Sequence, residues 1–510
     1  MFKNLFKDQQ ENEQQQEKPL TEHDLLKKKK IDSNLENTIE IFKTLYSIPT
    51  NSDVKIRNLL IGGLNKKACI IYISSISDSK IVENQVIETL LTNVDTSKNI
   101  EDIVSAQSIQ SFEIVQDVLL EIIKGNAALF VDGDSKAYII GTSNFQGRAI
   151  EKTENEVALK GPKEAFNEKG STNISLIRKK IKNENLIVEV TPISKRSQNE
   201  LYIVYMKDLV NVQLLNSIKA KLNSLDVDSV QNLSSLEQYL DEHSKSILPT
   251  ILYTERPDRA ASYIEDGFIV LLMENSPASL ILPATFWSFF HTSENYYLKF
   301  IYANFIRSLR LLALLITLFI SATYIAITNY HVEMLPTDLL LAISATREIV
   351  PFPTVVEILL MEIAFELIRE AGLRVPSPIG PTIGIVGALI LGQAAVQANI
   401  VSPLVVIIVA LGGLSSFAIG DISMNFAIRL LRFLFICSAS LFGFYGMTAV
   451  FTVLLLYIVS IKSFGVPYMA PMAPKYISSK DTIFRKMIQN QLFRPGYLKP
   501  KDIKKAGDEQ

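Results

Sequence analysis

The chain has 510 residues, and its 51 Lys and Arg against 53 Asp and Glu give a formal net charge of −2. This balance argues against nucleic-acid binding through a positive field. The two cysteines, Cys69 and Cys437, and four scattered histidines exclude a disulfide framework and a cysteine-rich zinc site, so we expect no metal and no cofactor.

Residues 1–40 are rich in Gln and Lys and lack the apolar core of a signal peptide. Such a composition cannot bury enough apolar surface to fold. It predicts a disordered tail.

Residues 41–300 alternate between strand-like and helix-like patterns. The apolar runs Ala127–Val131 and Ala137–Ile140 predict strands, and the Asp-Gly-Asp turn between them predicts a hairpin. We detect no convincing sequence repeat in this region. The pattern predicts two α/β subdomains, residues 41–155 and residues 156–300.

A dense charge cluster, Glu255, Arg256, Asp258 and Arg259, precedes the apolar part of the chain. One interpretation is an ion-pair network at an interface between subunits or domains. The other is a solvated helix start, with Pro257 at the first helical position. Both stay open at the level of the sequence.

Four apolar segments are long enough to cross a membrane, because a spanning helix needs about 20 mostly apolar residues. They predict an all-α polytopic membrane domain, residues 301–465, which a basic C-terminal tail, residues 466–510, follows. The predicted spans are about 309–330, 382–400, 402–420 and 433–461.

A fifth segment, residues 353–372, is helical by pattern and is named the glutamate helix below. Glu362 and Glu366 lie four residues apart and share one helix face. Charges that face lipid are costly, so this face meets water, a pore or a partner. The segment is therefore either an amphipathic helix at the membrane interface or a re-entrant, embedded helix that lines an aqueous path.

Two amides, Gln393 and Gln397, share a face of the second predicted span. Amides in lipid need hydrogen-bond partners, so they either join helices or line a pore. Joining helices is the more common role. We therefore expect Leu at either position to lower the abundance of the complex before it changes ion selectivity.

Positive charges near the span ends set the orientation. Arg307 and Arg310 precede the first span and the tail is basic, so both ends prefer the cytoplasm and the number of crossings is even. With four crossings, however, Arg369, Arg429 and Arg432 fall on the outer side. If the glutamate helix also crosses, the basic tail falls there instead. We favour four crossings, and the conflict stays open.

The sequence contains no Walker A, G-x-S-x-G or H-E-x-x-H motif, so we expect no catalytic residue and no enzymatic activity. A component of a small-solute transporter is an alternative function. Four or five spans without an internal repeat argue against it.

Three stretches point to a known family. Thr346–Asp421, Gly161–Glu168 (GPKEAFNE) and Glu255–Trp287 (ERPDRAASYIEDGFIVLLMENSPASLILPATFW) resemble the A subunit of GerA-type spore germinant receptors. The similarity extends over residues 40–485, nearly the whole chain.

The resemblance implies a cytoplasmic N-terminal region of two α/β subdomains and a multi-pass domain in the inner membrane of the endospore. It implies two partners, a transporter-like B subunit that binds the nutrient and a lipoprotein C subunit. It also implies a homo-oligomer around a cation path, for which Glu362, Glu366, Gln393 and Gln397 are the candidate pore-lining residues. An accessory spore membrane protein of the same family, which amplifies ion release, is the alternative.

Overall fold

Two α/β subdomains, a helical domain and a C-terminal segment follow one another in the computed structural model. This confirms the predicted fold class. The described residues are 22–96, 99–106, 108–145, 153, 156, 160–292, 294–374, 391–478 and 481–505.

Subdomain 1 is built on an antiparallel sheet with the strand order β1-β2-β4-β5-β3. Its strands are β1 (Val54–Ile61), β2 (Lys66–Ile73), β3 (Ile109–Phe112), β4 (Ala127–Val131) and β5 (Ala137–Ile140). Its helices are α1 (Glu22–Lys27), α2 (Leu35–Tyr46), α3 (Ser79–Ile81, continued by Val82–Ile87 and Glu88–Thr92), α4 (Ile100–Ile103) and α5 (Val115–Ile123).

Alternation along the strands gives this sheet two cores. Phe130 and Ile139 pack against α2 and α5 on one face, whereas Leu129 and Ile140 pack against α3 and α4 on the other. Both faces are covered, which explains why β4 and β5 are apolar at every position. The predicted hairpin of β4 and β5 is confirmed.

Subdomain 2 is a second antiparallel sheet with the order β6-β7-β9-β10-β8. Its strands are β6 (Leu186–Ile193), β7 (Asn199–Met206), β8 (Leu252–Thr254), β9 (Ile269–Met273) and β10 (Ser279–Leu282). Its helices are α6 (Gly170–Lys180), α7 (Val212–Asn223), α8 (Leu233–Leu240), α9 (Pro257–Glu265) and the short α10 (Glu294–Tyr297).

The two subdomains repeat one topology. The succession α2-β1-β2-α3-α4-β3-α5-β4-β5 recurs as α6-β6-β7-α7-α8-β8-α9-β9-β10, with the same strand order in each sheet. Even the turns correspond: Gly125 after α5 has φ +96°, and Gly267 after α9 has φ +93°. A structural duplication is therefore present where the sequence shows no repeat.

A buried ion pair joins the subdomains. Nε of Arg178 on α6 lies 2.5 Å from Oδ2 of Asp53, which precedes β1. Beside it the backbone N–H of Ser52 donates to the carbonyl of Val188 on the edge strand β6, over 2.9 Å. Removal of either partner would leave the other charge buried without compensation. The pair therefore fixes the position of one sheet relative to the other.

The helical domain consists of long helices that pack along one another. They are α11 (Phe300–Tyr330), α12 (Thr337–Arg347), α13 (Thr354–Arg374), α14 (391–397), α15 (Pro403–Ser416) and α16 (Ile422–Ser460). Among the described residues, α11 and α16 are long and apolar enough to cross a membrane.

Helix α16 reverses direction at Gly443, where φ is 58° and ψ is −137°. The ring of Phe319 on α11 lies 4.9 Å from Phe435 and 5.6 Å from Phe451. In a straight helix these two phenylalanines would be about 24 Å apart, because the rise is about 1.5 Å per residue. Helix α16 is therefore a hairpin of two arms, residues 422–442 and 444–460, that both pack on α11.

Contacts at the helix ends show in which direction α11 and each arm of α16 run through the bundle. Helix α11 starts at subdomain 2, where Nη1 of Arg310 donates to Thr292 over 3.0 Å. It ends at the reversal of α16, where the Tyr330 hydroxyl donates to the Ser440 carbonyl over 2.6 Å. The second arm of α16 returns to subdomain 2, where the Ser463 hydroxyl donates to the Thr250 carbonyl over 2.8 Å.

The structure differs from one expectation about the spans. The apolar run 433–461 was expected to be a single span, but it contains the reversal at Gly443. The glutamate helix α13 packs on the bundle with Glu362 fully buried, while Ile363 and Leu367 are exposed. Of the predicted span 382–400, residues 382–390 lie outside the described part of the chain.

The chain termini also differ from expectation. Residues 22–40, assigned to the disordered tail, form α1 and the start of α2, because Ile31 and Leu35 are buried in the core of subdomain 1. The C-terminal segment, residues 462–505, packs on subdomain 2: Tyr468 is fully buried there, and its backbone carbonyl accepts a hydrogen bond from Phe286 over 2.8 Å.

We expect Gly443→Ala to lower the thermal unfolding midpoint of the purified protein. The backbone at Gly443 suits glycine almost alone, at a cost of about 1–3 kcal/mol for other residues. A Cβ there would also lie 2.9 Å from Cβ of Tyr330. The matched control is Gly372→Ala on α13, where a Cβ meets no atom within 4 Å and alanine favours the helix. Equal midpoints for the two variants would contradict the reversal.

Candidate functional site

Two carboxylates of the glutamate helix α13 reach arginines on the first arm of α16. Glu362 has no exposed surface: Nη2 of Arg432 lies 2.7 Å from its Oε2, and the Ser321 hydroxyl donates to its Oε1 over 2.7 Å. Glu366 pairs with Arg429, whose Nε lies 3.2 Å from its Oε2. These pairs join α11, α13 and α16 in the middle of an apolar bundle.

Helical spacing brings these four charges into register. Glu362 and Glu366 are four residues apart, and Arg429 and Arg432 are three apart, so each pair lies on one helix face. The two faces meet inside the bundle. Each carboxylate therefore has a guanidinium opposite it, and the net charge of the cluster is zero.

The Glu362–Arg432 pair is the more deeply buried of the two. Nε and Nη1 of Arg432 make no hydrogen bond within the described part of the chain, so the pair is single and not bidentate. A buried ion pair contributes little net stability, but loss of one partner leaves an uncompensated charge and costs about 3–5 kcal/mol. The pair thus fixes how α13 and α16 can pack.

Two further charges of α13 have partners on α15. Oε2 of Glu357 accepts from the backbone N–H of Ser402 over 2.9 Å, at the N-terminus of α15, where the helix dipole favours a carboxylate. Nη2 of Arg369 donates to the Ser416 hydroxyl over 2.7 Å, at the other end of α15. Helices α13 and α15 are therefore parallel neighbours.

Gln393 and Gln397 lie elsewhere. Both are on α14 (391–397), and both are exposed at the surface of the bundle. The structure therefore separates the four candidate pore-lining residues: Glu362 is enclosed, Glu366 keeps 33% of its side-chain surface exposed, and the two amides face outward. Their proposed role in a pore stays a prediction.

The charge cluster that precedes the helical domain, Glu255 to Arg259, forms an ion-pair network within one chain. Arg256 forms a bidentate pair with Asp258, with distances of 3.1 Å from Nε to Oδ1 and 2.9 Å from Nη2 to Oδ2. Its Nη2 also donates to the carbonyl of Pro162 over 2.8 Å. The backbone N–H of Glu255 donates to Oε2 of Glu156 over 2.9 Å.

Arg259 extends the network towards the helical domain. Its Nη1 lies 2.5 Å from Oε1 of Glu156, and its Nη2 donates to the carbonyls of Ser288 and His291 over 2.9 and 2.7 Å. Burial by itself would lower the pKa of Arg259, but the Glu156 carboxylate outweighs it and raises that pKa.. The network ties the linker between the subdomains to α9 and to the residues that lead into α11.

Sequence reasoning missed four partners, which are Ser321, Glu156, Arg429 and Arg432. The arginines were considered only for membrane orientation. A search for compensating charge around the glutamates would have found them, because their spacing on a helix matches that of Glu362 and Glu366. Glu156 carries no such signal, because nothing in the linker distinguishes it from the neighbouring Glu151 and Glu154.

Comparison with known proteins gives the family. Residues 40–497 match the family described as Bacillus/Clostridium GerA spore germination protein. The chain belongs to the GerA family. It is therefore a member of the family of spore germinant receptor A subunits.

Individual relatives in the GerA family match over most of their length. Spore germination protein KA of Bacillus subtilis (strain 168) is 37% identical over 92% of this chain and 88% of its own. Spore germination protein B1 of the same organism is 35% identical over 89% of this chain and 95% of its own. The crystal structure of the N-terminal domain of the A subunit of the Bacillus megaterium spore germinant receptor GerK3 aligns with a TM-score of 0.40 at 23% identity, covering 51% of this chain and 98% of that chain.

We expect Glu362→Gln to destabilise this GerA-family chain by about 3–5 kcal/mol, because Arg432 is then buried without a charge partner. The double variant Glu362→Met/Arg432→Met should recover most of that loss. Thermal unfolding of the purified variants measures both. If the unfolding midpoint of Glu362→Gln equals that of the unaltered chain, Glu362 does not form a buried pair with Arg432. That result would favour a position of Glu362 that faces a pore.

Proposed function

We propose that this chain is the A subunit of a nutrient-responsive spore germinant receptor, whose copies assemble around a cation path gated by a nutrient-binding partner subunit. The observation that carries the assembly is the exposed pair Gln393 and Gln397 on the otherwise apolar helix α14. Amides that face hydrocarbon find no hydrogen-bond partner, so a neighbouring subunit or water has to cover them.

The direction of the helices supports an even number of membrane crossings. Helix α11 leaves subdomain 2, α13 and α15 run back towards it, and the two arms of α16 leave and return. Helices α13 and α15 both end on the side of the bundle next to subdomain 2. The helical domain thus starts and ends on the side of the subdomains, as an even number of crossings requires.

This arrangement resolves the conflict between the positions of the arginines and that of the basic C-terminal tail, which the sequence left open. Arg307, Arg310 and Arg369 lie at the end of the bundle next to subdomain 2, whereas Arg429 and Arg432 lie inside the bundle, where Glu366 and Glu362 compensate their charges. The far connection, residues 331–353, carries one arginine and three carboxylates. By the positive-inside rule the subdomains and the C-terminal segment then lie in the cytoplasm, which in a spore is the core.

Residues that reach the surface of the bundle are the ones that can line a cation path between copies of the chain. Glu366, Gln393 and Gln397 can face a neighbouring copy directly, and rings of carboxylates and amides favour cations. Glu362 would reach the path only if its pair with Arg432 opened. A transporter-like B subunit and a lipoprotein C subunit are the proposed partners, because the GerA relatives of this chain are germination proteins.

We expect an impermeant maleimide to distinguish the two sides of the membrane. In a chain with Cys69→Ser and Cys437→Ser, Glu333→Cys in the far connection should react in intact cells. Lys195→Cys in subdomain 2 and Lys486→Cys in the C-terminal segment should react only after permeabilisation. All three positions are exposed in the structure, so access to the reagent alone decides. Reaction of Lys486→Cys in intact cells would contradict an even number of crossings.

Cation leak from vegetative cells that co-express this chain with its B and C subunits tests the assembly and the path. Nutrient should raise K⁺ efflux. Gln393→Leu/Gln397→Leu should lower the amount of complex on a native gel and abolish the nutrient-dependent efflux. Leu456→Ala on the second arm of α16, an equally exposed apolar position, is the matched control and should change neither. An unchanged amount of complex and unchanged K⁺ efflux in the double variant would contradict a role of Gln393 and Gln397 in assembly and in the cation path.

A further inference from the structure

A continuous apolar face runs along the outer side of α11, beginning at its first turn. Its members are exposed and recur every three or four residues, which keeps them on one side of the helix: Ile301, Phe305, Leu309, Leu312 and Leu315. Arg307, by contrast, is buried on the inner side of the same turns. The start of α11 thus presents apolar side chains outward and charge inward, which suits contact with lipid.

The length of α11 carries this face to the edge of a bilayer. Its 31 residues extend about 46 Å, because the rise is about 1.5 Å per residue. The hydrocarbon core is about 30 Å thick, and the bilayer with its headgroups about 40–45 Å. Tyr302 in the first turn and Tyr330 at the last residue are both exposed, and tyrosine is enriched at the two membrane interfaces. The first turns of α11 therefore lie at the depth of the headgroups.

The C-terminal segment is fastened to these first turns. Nδ2 of Asn304 donates to the carbonyl of Arg485 over 3.1 Å, and its Oδ1 accepts from the backbone N–H of Arg485 over 2.8 Å. The guanidinium of Arg485 is buried, and its Nη2 donates to the carbonyl of Leu298 over 3.3 Å. Asp481 pairs with Arg307. Residues 481–485 are thus held beside the end of α11 that reaches the headgroup layer.

The residues around this attachment are apolar or positively charged. Phe484, Met487 and Ile488 are each more than half exposed. Lys486 between them is exposed as well, and residues 482–490 contain no Asp or Glu. An exposed apolar patch marks a surface that meets a partner or a membrane. Because this patch continues the apolar face of α11, the lipid that covers that face also reaches the patch.

Two lysines give the surface a preference for negative headgroups. Lys299 directly precedes α11 and Lys486 directly follows Arg485, so each adjoins the contact between Arg485 and Leu298. Both lysines are exposed, and neither forms an ion pair among the described residues. Lysines close to an anionic membrane surface are attracted to it, and apolar side chains beside them add to the binding.

We propose that residues 484–488 lie in the headgroup layer on the side of the subdomains and bind anionic phospholipid. Phe484, Met487 and Ile488 reach the boundary of the acyl chains, and Lys299 and Lys486 contact the phosphates. The C-terminal segment is then held at the membrane by lipid as well as by α11. This inference rests on the proposed crossing of the membrane by α11, which the experiment tests separately.

The depth of a fluorescent label tests this position. A full chain with Cys69→Ser and Cys437→Ser carries one labelled cysteine and is placed in nanodiscs of phosphatidylglycerol that contain nitroxide-labelled lipid. The label at Ile488→Cys should lose at least half of its emission, most strongly to a nitroxide near the headgroup. Val453→Cys on the second arm of α16 should be quenched most by a nitroxide deep in the acyl chain. Leu60→Cys on β1, also an exposed apolar position, is the matched control and should not be quenched.

The labels separate failure of this inference from failure of the membrane crossing. Quenching of Val453→Cys without quenching of Ile488→Cys would overturn the proposal and leave the patch to a protein partner. If neither label were quenched, the membrane crossing itself would be contradicted, and the proposal with it.

The charge of the headgroups tests the two lysines. Replacement of phosphatidylglycerol by phosphatidylcholine should lower the quenching of Ile488→Cys at least twofold. Lys299→Gln/Lys486→Gln should lower it equally in phosphatidylglycerol, whereas the matched change Lys55→Gln/Lys67→Gln at exposed positions of subdomain 1 should leave it unchanged. Equal quenching in the two lipids, or unchanged quenching in Lys299→Gln/Lys486→Gln, would overturn the assignment of anionic phospholipid.

Discussion

Charge inside an apolar bundle needs compensation, and the packing of the helical domain follows from that constraint. Glu362 and Glu366 allow α13 to enter the bundle only because the first arm of α16 presents Arg432 and Arg429 to them. Without the arginines, α13 would have to remain where water reaches its carboxylates. The same pairs hold the first arm of α16 next to α11 through Ser321. Three helices are thus positioned by one compensated cluster.

The reversal at Gly443 completes this arrangement. A single straight helix over residues 422–460 would carry the C-terminal segment far from subdomain 2, because about 39 residues of helix extend almost 60 Å. The hairpin returns it to the side from which α11 left. It also brings the basic C-terminal segment next to the end of the bundle at which Arg369 contacts Ser416.

Much of the fold follows from local patterns. The strands β4, β5, β9 and β10 are short apolar runs bounded by turn residues, and the family resemblance from the sequence was correct. The duplication of the subdomains was not visible, because strands buried on both faces accept any apolar residue and keep little trace of a common pattern. The reversal was hidden because Gly443 stands between Phe442 and Phe444 in an uncharged run, without the Pro, Asn or Asp that usually marks a turn.

The candidate site was only partly predictable for a related reason. The glutamates and glutamines stood out as polar residues in an apolar context, which singled out the segments of α13 and α14 from the sequence alone. Their surroundings depend on contacts between residues about 40 to 70 positions apart, such as Ser321 with Glu362 and Glu362 with Arg432. A periodic pattern in one helix cannot show which face of another helix meets it. The placement of Glu362 inside and of Gln393 outside therefore required the fold.

The docking of the C-terminal segment has a consequence for biosynthesis. Thr250 and Phe286 belong to subdomain 2, yet their partners Ser463 and Tyr468 are about 180 to 215 residues further along the chain. Domains form from the N-terminus as the ribosome advances. Subdomain 1 can finish early, whereas subdomain 2 has to wait until the whole helical domain has been translated. A product truncated before Ser463 would therefore leave open the apolar surface of subdomain 2 that Phe464, Tyr468 and Leu498 cover.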